Sequence, residues 1–333
     1  MSDMESMTDW KELERLLGDQ DRAGEEIHVD EEGMSAALKN KVAGQDHVID
    51  DLCRLLRLQA AKKERKRPIA NLFFVGPTGV GKTELAKAMA HYLYEDEKNM
   101  LRFDCAEFSG PESKTRLIGT PQGYVDADKG GQLTRPVMNN RKRLVLFDEV
   151  EKAWSGIFDL FLSMMGDGRL TEQGSGKEAN FTQSIIVLTS NAEADAITKI
   201  DQQIEDPQEK VNAIKQHLRD SKVFRAEILG RFDRIYVFKP LSGIVNAKIA
   251  VMKMRSLATE YGLELAFVSP QLVVEAMQKG NKLKDFGVRE LDRVIGEMLG
   301  DAMYEARRNN IKKIKLRLDP DGVLQIDPAD TQT

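Results

Sequence analysis

Eight consecutive residues constrain this chain more than any other segment: Gly76-Pro77-Thr78-Gly79-Val80-Gly81-Lys82-Thr83. They satisfy the pattern G-x-x-x-x-G-K-[ST] at every fixed position. An apolar run, Asn-Leu-Phe-Phe-Val at 71–75, precedes them, and a stretch with helical spacing at 84–93 follows. Strand, glycine-rich loop and helix start, in that order, make an anion cradle. The glycines let the backbone wrap tightly and aim its N–H groups at phosphate oxygens, and the helix N-terminus adds partial positive charge. Lys82 then suits the β- and γ-phosphates, and the Thr83 hydroxyl suits a magnesium ion. The expected ligand is ATP with Mg2+, bound by residues 76–83 and the adjoining Glu84.

A second segment supplies the chemistry that such a cradle lacks. Leu144-Val-Leu-Phe reads as a buried central strand, and Asp148 and Glu149 emerge at its carboxyl end. Ligands sit at that end of an open α/β sheet. Asp148 suits a magnesium contact, and Glu149 suits the general base for an attacking water. Residues 185–191 form another apolar run that ends in Thr-Ser-Asn; by itself Asn191 suits a strand-end cap or turn best, and beside the cradle it also suits a contact to the lytic water or the γ-phosphate.

Short apolar runs at 72–75, 101–104, 144–147, 185–189 and 235–238 alternate with helical patterns. This predicts an α/β fold in three layers, a parallel sheet covered on both faces. Residues 34–58 read as one helix, and Ala60 to Pro68 as a basic, solvated connector. Beyond Pro240 the pattern turns helical, at 245–261, 270–279 and 287–309, followed by a hairpin at 314–318 and 323–326. Three units are expected: an acidic leader 1–33, a large ATPase unit 34–240 and a smaller, mostly helical C-terminal unit 241–333.

The chain carries a net charge of −5, while residues 1–33 hold twelve acids and three bases, so the remainder is +4. The leader reads as a solvated or adaptor-binding arm, with Trp10, Leu13, Leu16 and Leu17 at helical spacing. No apolar run nears the roughly 20 residues of a membrane helix. The first residues lack a basic, apolar secretory signal, so a cytoplasmic location is expected. Cys53 and Cys105 stand apart and are expected to be buried thiols.

From about residue 41 to 326 the sequence resembles the Clp/ClpB class of AAA+ ATPases, most closely the second ATPase domain of ClpB-type disaggregases. The resemblance runs through Val42-Ala-Gly-Gln45, Arg67-Pro-Ile, Leu117-Ile-Gly-Thr-Pro-Gln-Gly-Tyr124-Val125, Gly130-Gly-Gln-Leu-Thr and Phe147-Asp-Glu-Val-Glu-Lys-Ala153. It continues through Asp167-Gly-Arg-Leu-Thr171, Leu188-Thr-Ser-Asn191, Ile228-Leu-Gly-Arg231-Phe-Asp and Phe286-Gly-Val-Arg289-Glu-Leu. It implies that Val42 lies in the segment lining the adenine pocket. It also implies that Arg231 is an arginine finger completing a neighbour's site, and that Arg289 is a sensor on the small unit acting across a hinge near Pro240. Gly123, Tyr124 and Val125 are similar to the substrate-gripping pore loop. A finger acting in trans implies a homo-hexameric ring.

Two departures qualify the resemblance. The family has glycine after Tyr-Val, where this chain has Asp126, with Asp128 nearby; the loop is expected to be more acidic and less free in its backbone. A large N-terminal substrate domain, a first ATPase domain and a coiled-coil insertion are not expected from residues 1–333, which also hold no Ile/Leu-Gly-Phe/Leu tripeptide for docking a ClpP-type protease. The expected function is an ATP-driven protein remodeller acting on a protein substrate. The alternative is a nucleotide-gated regulatory or assembly ATPase for a dedicated partner in a secretion or defence system. A nucleic-acid motor is disfavoured by the negative charge and the lack of a basic stripe with interleaved aromatics.

Overall fold

The computed structural model describes residues 29–94, 99–124, 126–241, 243–281, 288–319 and 322–329. Its strands, numbered along the chain, are β1 (Ala70–Val75), β2 (Met100–Asp104), β3 (Leu144–Asp148), β4 (Arg169–Thr171), β5 (Glu178–Asn180), β6 (Ile185–Ser190), β7 (Arg234–Val237), β8 (Glu264–Val268), β9 (Lys313–Leu318) and β10 (Leu324–Pro328). The longer helices are α1 (Glu31–Lys39), α2 (Asp46–Ala60), α3 (Lys82–Tyr94), α4 (Phe158–Asp167), α5 (Ala194–Gln203), α6 (Pro207–Asp220), α7 (Gly243–Glu260), α8 (Pro270–Asn281) and α9 (Val288–Arg308).

The five apolar runs pair into one sheet of order β2-β3-β6-β1-β7, parallel at every junction. Alternate side chains of a strand face opposite ways, and the cores divide accordingly. Phe73, Val75, Val145, Phe147, Ile186 and Leu188 enter one core with Phe158 and Phe161 of α4, Ile197 of α5 and Ile214 of α6. Leu72, Phe74, Leu144, Leu146, Ile185 and Val187 enter the other, beneath α1, α2 and α3. The chain is thus the three-layer α/β structure that its hydrophobic pattern implies. Because both faces are covered, β1, β3 and β6 carry consecutive apolar residues at 72–75, 144–147 and 185–188.

The stretch 34–58 differs from its sequence reading. It forms two helices, α1 and α2, joined by a turn in which Gly44 adopts φ +80. A side chain is strained in that left-handed conformation, and a Cβ on Gly44 would also sit 2.6 Å from Val245. Regular structure is present ahead of residue 34: Val29 is buried and α1 starts at Glu31. Residues 1–28, with the apolar positions Trp10, Leu13, Leu16 and Leu17, lie outside the described residues.

Residues from Gly243 onward have their own core, in which Leu272, Leu291, Ile295, Leu299 and Met303 pack on Ile314 and Leu316. The expected terminal hairpin is the antiparallel pair β9–β10, and β8 adds a third, parallel strand beside β9. The basic connector is used locally: Arg65 bonds the carbonyls of Gln59 and Ala60, and Arg67 bonds Asp233 at 2.7 Å. Among the described residues no helix is long and apolar enough to cross a membrane. Cys53 and Cys105 are buried free thiols, and burial pushes the Cys53 thiol up to about 12.

Candidate nucleotide site

Strand register brings the site together. Val75 of β1 pairs with Ser190 of β6, and Phe147 of β3 pairs with Leu188 of β6. Gly76, Asp148 and Asn191 therefore leave three neighbouring strands at the same end of the sheet. The loop turns through Gly76 (φ +146), Gly79 (φ +78) and Gly81 (φ +99) before α3 begins at Lys82. Gly76 has a second reason to lack a side chain, because a Cβ there would lie 2.5 Å from the Phe238 carbonyl oxygen. Thr78 and Gly79 are exposed at the loop apex, Pro77 is half-buried and Val80 is buried.

Lys82 is only 7% exposed. Its ammonium donates to the carbonyls of Gly76 (2.7 Å) and Pro77 (2.6 Å) and to Asn191 Oδ1 (2.7 Å). Burial lowers its pKa to about 8, against the opposing pull of Glu151, Asp148 and Glu149. Thr83 Oγ1 donates to Asp148 at 3.1 and 3.2 Å. Asp148 also accepts from Thr189 Oγ1 (2.6 Å) and Arg102 (2.8 Å).

Glu149 takes a left-handed backbone conformation, φ +54. That costs a residue other than glycine about 1–2 kcal/mol and marks an over-determined position. Its N–H donates to Thr189 Oγ1 at 3.0 Å, and its carboxylate accepts from Asn191 Nδ2 at 3.0 Å and from Lys152. The Asn191 amide thus touches Lys82 with its oxygen and Glu149 with its nitrogen. The Asn191 N–H donates to Glu151 Oε1 at 3.1 Å.

Other residues singled out in the sequence fall as follows. Val42 is buried against the loop, where a Cβ on Gly81 would come 3.0 Å from it. Glu84 is exposed and bonds Lys87 at 2.8 Å. Tyr124 is 71% exposed beside Gly123 (φ +90), and Val125 lies outside the described residues. Asp126 has φ +70 and pairs with Lys129 at 3.0 Å. Arg231 is exposed, just before β7. Since β7 runs parallel to β1, with Leu72 opposite Arg234, Arg231 sits at the end of the sheet remote from the loop. Arg289 lies in α9, and its side chain is outside the described residues, as are residues 282–287.

Four contributors had no role assigned by sequence reasoning: Arg102, Thr189, Lys152 and Gln45. Arg102 was detectable as a charge inside an apolar strand run. Gln45 is fully buried; its amide donates to Val80 O (3.2 Å) and Lys239 O (3.0 Å) and accepts from Lys239 N (3.2 Å). It ties the phosphate loop to the segment after β7.

A phosphate loop after a central parallel strand, with an acidic pair on the next strand but one, defines a P-loop nucleoside triphosphatase. The family match makes this specific: the AAA domain (Cdc48 subfamily) matches residues 67–235. Chaperone protein ClpB of Bdellovibrio bacteriovorus is 37% identical over 286 residues, 84% of this chain and 32% of that protein. Chaperone protein ClpB2, chloroplastic, of Oryza sativa subsp. japonica is 38% identical over 266 residues, 78% of this chain and 27% of that protein. ClpB of Gloeobacter violaceus is 37% identical over 279 residues, 81% and 30% respectively. The chain belongs to the AAA+ ATPases, as an ATPase domain of the ClpB class, and spans about a third of the length of these relatives.

Proposed function

We propose that this chain is the motor of a ring-forming protein remodeller, in which ATP hydrolysis at subunit interfaces moves Tyr124 against a polypeptide. The observation that carries the reading is the division of the site between the two ends of the sheet. Lys82, Thr83, Asp148, Glu149 and Asn191 gather at the carboxyl ends of β1, β3 and β6. Arg231 stands at the other end: with Arg234 opposite Leu72, position 231 falls level with position 69, about 23 Å before Gly76 by the rise of a strand. That separation from its own subunit's cradle supports a role for Arg231 in a neighbour's site.

The nucleotide would lie along residues 76–83, with Val42 bordering its base and Glu84 in the first helical turn. Lys82 supplies a desolvated positive charge to the β- and γ-phosphates. Thr83 and Asp148 offer hydroxyl and carboxylate oxygens within hydrogen-bond distance of each other, a donor set that fits magnesium. Bound there, the ion would neutralise charge between the phosphates. Glu149, oriented by Asn191 and Lys152, would take the proton of the attacking water. Arg231 would meet the charge growing on a neighbour's γ-phosphate, and Arg289 would sense nucleotide from the C-terminal unit. The exposed Gly123–Tyr124 turn, with Val125, would press on substrate chain without reading its sequence. The setting we propose is the cytoplasm, with a homo-hexamer and protein clients, and without a ClpP-type protease, a membrane or nucleic acid as partner.

Two variants test this. Arg231→Ala should lower kcat by about 10³-fold or more while ATP still binds. Tyr124→Ala should keep basal ATPase within about twofold but stop unfolding of a tagged model substrate. Normal turnover in the first removes the interfacial site. Full unfolding in the second removes the grip and leaves the nucleotide-gated assembly ATPase as the better reading.

A further inference from the structure

Asn71 is a fully buried amide in β1, a strand whose other residues are apolar. It takes no part in the nucleotide cradle five residues on. Its side-chain nitrogen donates to two carbonyls, Met165 O at 3.0 Å and Arg231 O at 3.3 Å. Its main chain forms a closed pair with Asp233: Asn71 N–H reaches Asp233 Oδ2 at 2.8 Å, and Asp233 N–H reaches Asn71 O at 2.8 Å. Two residues along β1, Phe73 stacks on Phe232, with ring centroids 4.6 Å apart and planes 9° from parallel. Arg67 completes the clamp on the other Asp233 oxygen. Residues 231, 232 and 233 are each fastened to β1.

The Arg231 side chain leaves this clamp across Gly166, the neighbour of Met165. A Cβ at Gly166 would come 3.0 Å from the guanidinium carbon. The Asn71 amide therefore joins the Arg231 backbone to Met165, next to the Gly166 against which the guanidinium packs. Its own oxygen, Oδ1, finds no partner among the described residues. A buried, unmatched oxygen is a cost that an apolar side chain of similar size does not carry. Stability alone therefore does not call for asparagine here; its two N–H donors do.

We infer that Asn71 is a positioning residue for Arg231. It sets the direction of the guanidinium offered to a neighbouring subunit. Because β1 runs straight into Gly76, it also makes that guanidinium rigid with respect to its own subunit's phosphate loop. One strand then carries the loop of one site at its carboxyl end and fixes the finger of the next site at its amino end. The inference rests on the interfacial role proposed for Arg231.

The test uses the full chain. Asn71→Ala should lower kcat by about 10- to 100-fold, the penalty of a misplaced charge. The Kd for a fluorescent ATP analogue should stay within about twofold. Subunit mixing locates the defect. Wild-type protein is doped with Glu149→Gln, with Glu149→Gln/Asn71→Ala or with Glu149→Gln/Arg231→Ala, and ring size is checked by sedimentation. Only wild-type sites turn over, so any loss beyond that from Glu149→Gln reports the finger given by the dopant. Asn71→Ala should move turnover most of the way to the Arg231→Ala result, and Asn71→Ser, which keeps one donor, should fall between. Asn71→Ser replaces the alanine variant should that one fail to join rings. If Arg231→Ala poisons the rings and neither Asn71 variant does, the positioning role is wrong while the finger stands. If no dopant exceeds Glu149→Gln alone, the finger reading itself is wrong.

Discussion

Lys82 is a buried cation whose charge is only just retained at neutral pH. Desolvation brings it to about 8, from the ordinary 10.5. Below that value the ammonium is charged and ready for phosphate. Above it, binding must also take up a proton. The affinity for a non-hydrolysable ATP analogue should therefore be flat from pH 6 to about 7.5, then weaken by up to about tenfold per pH unit beyond pH 8. Calorimetric titration at pH 7, 8 and 9 measures this, and a flat profile to pH 9 shows that Lys82 keeps its charge. The stability contribution has the opposite slope. Between about 8 and 10.5 the unfolded chain binds more protons at this residue, so the nucleotide-free fold gains stability as pH rises through that window. Asp126 makes a different point at the same scale. Where the family has glycine, this chain holds aspartate in the left-handed conformation that glycine favours, which Asp tolerates better than most residues. The change adds charge without abandoning the turn.

At the scale of elements, Glu172 links two loops. It is 2% exposed and follows β4. Its carboxylate accepts from the backbone of Gly174 (3.0 Å), Ser175 and Gly131. Gln173 N–H adds a bond to Ile118 O at 2.8 Å. Burial raises the Glu172 pKa, but the hydrogen bonds from Ser175, Gly174 and Gly131 outweigh it and hold the carboxyl below its usual range. The clamp fastens the base of the Tyr124 loop to the β4–β5 hairpin. Glu172→Ala should cost about 2–3 kcal/mol in urea unfolding, and hydrogen exchange should speed up at both Gly131 and Gly174–Ser175. Faster exchange on the hairpin side alone contradicts the coupling. This linkage was not legible in the sequence. The central strands β1, β3 and β6 were, because burial on both faces leaves consecutive apolar residues, and the phosphate loop and acidic pair were, because each follows such a run. The three-residue strands β4 and β5 are too short to show a period. β8 has the apolar run Leu265–Val268 but leaves all of its side chains at least partly exposed, so it lacks the two-sided burial that marks the central strands. The break at Gly44 was hidden by apolar residues at helical spacing on either side of it. Asn71, one polar residue at a strand start, becomes meaningful only when Arg231, 160 positions later, is seen against it.

At the scale of the whole molecule, the interfacial role proposed for Arg231 would call for several copies. Sedimentation of Glu149→Gln protein with ATP should show a ring-sized species, and ATP should co-elute with it at close to one per subunit. A monomer that keeps its ATP contradicts the proposed ring. The sheet order has a further consequence, for synthesis. β1, which carries the phosphate loop, pairs with β6 and β7 and with no strand made before Ile185. Its last partner residue, Val237, follows Val75 by 162 positions. At about 5–20 residues per second, the Leu-Phe-Phe-Val run waits roughly 10–30 s on the ribosome without its neighbours. During that interval ATP has no finished cradle to bind, so nucleotide cannot shepherd the nascent chain. The nucleotide site is therefore finished only after the last strand of the sheet has been made.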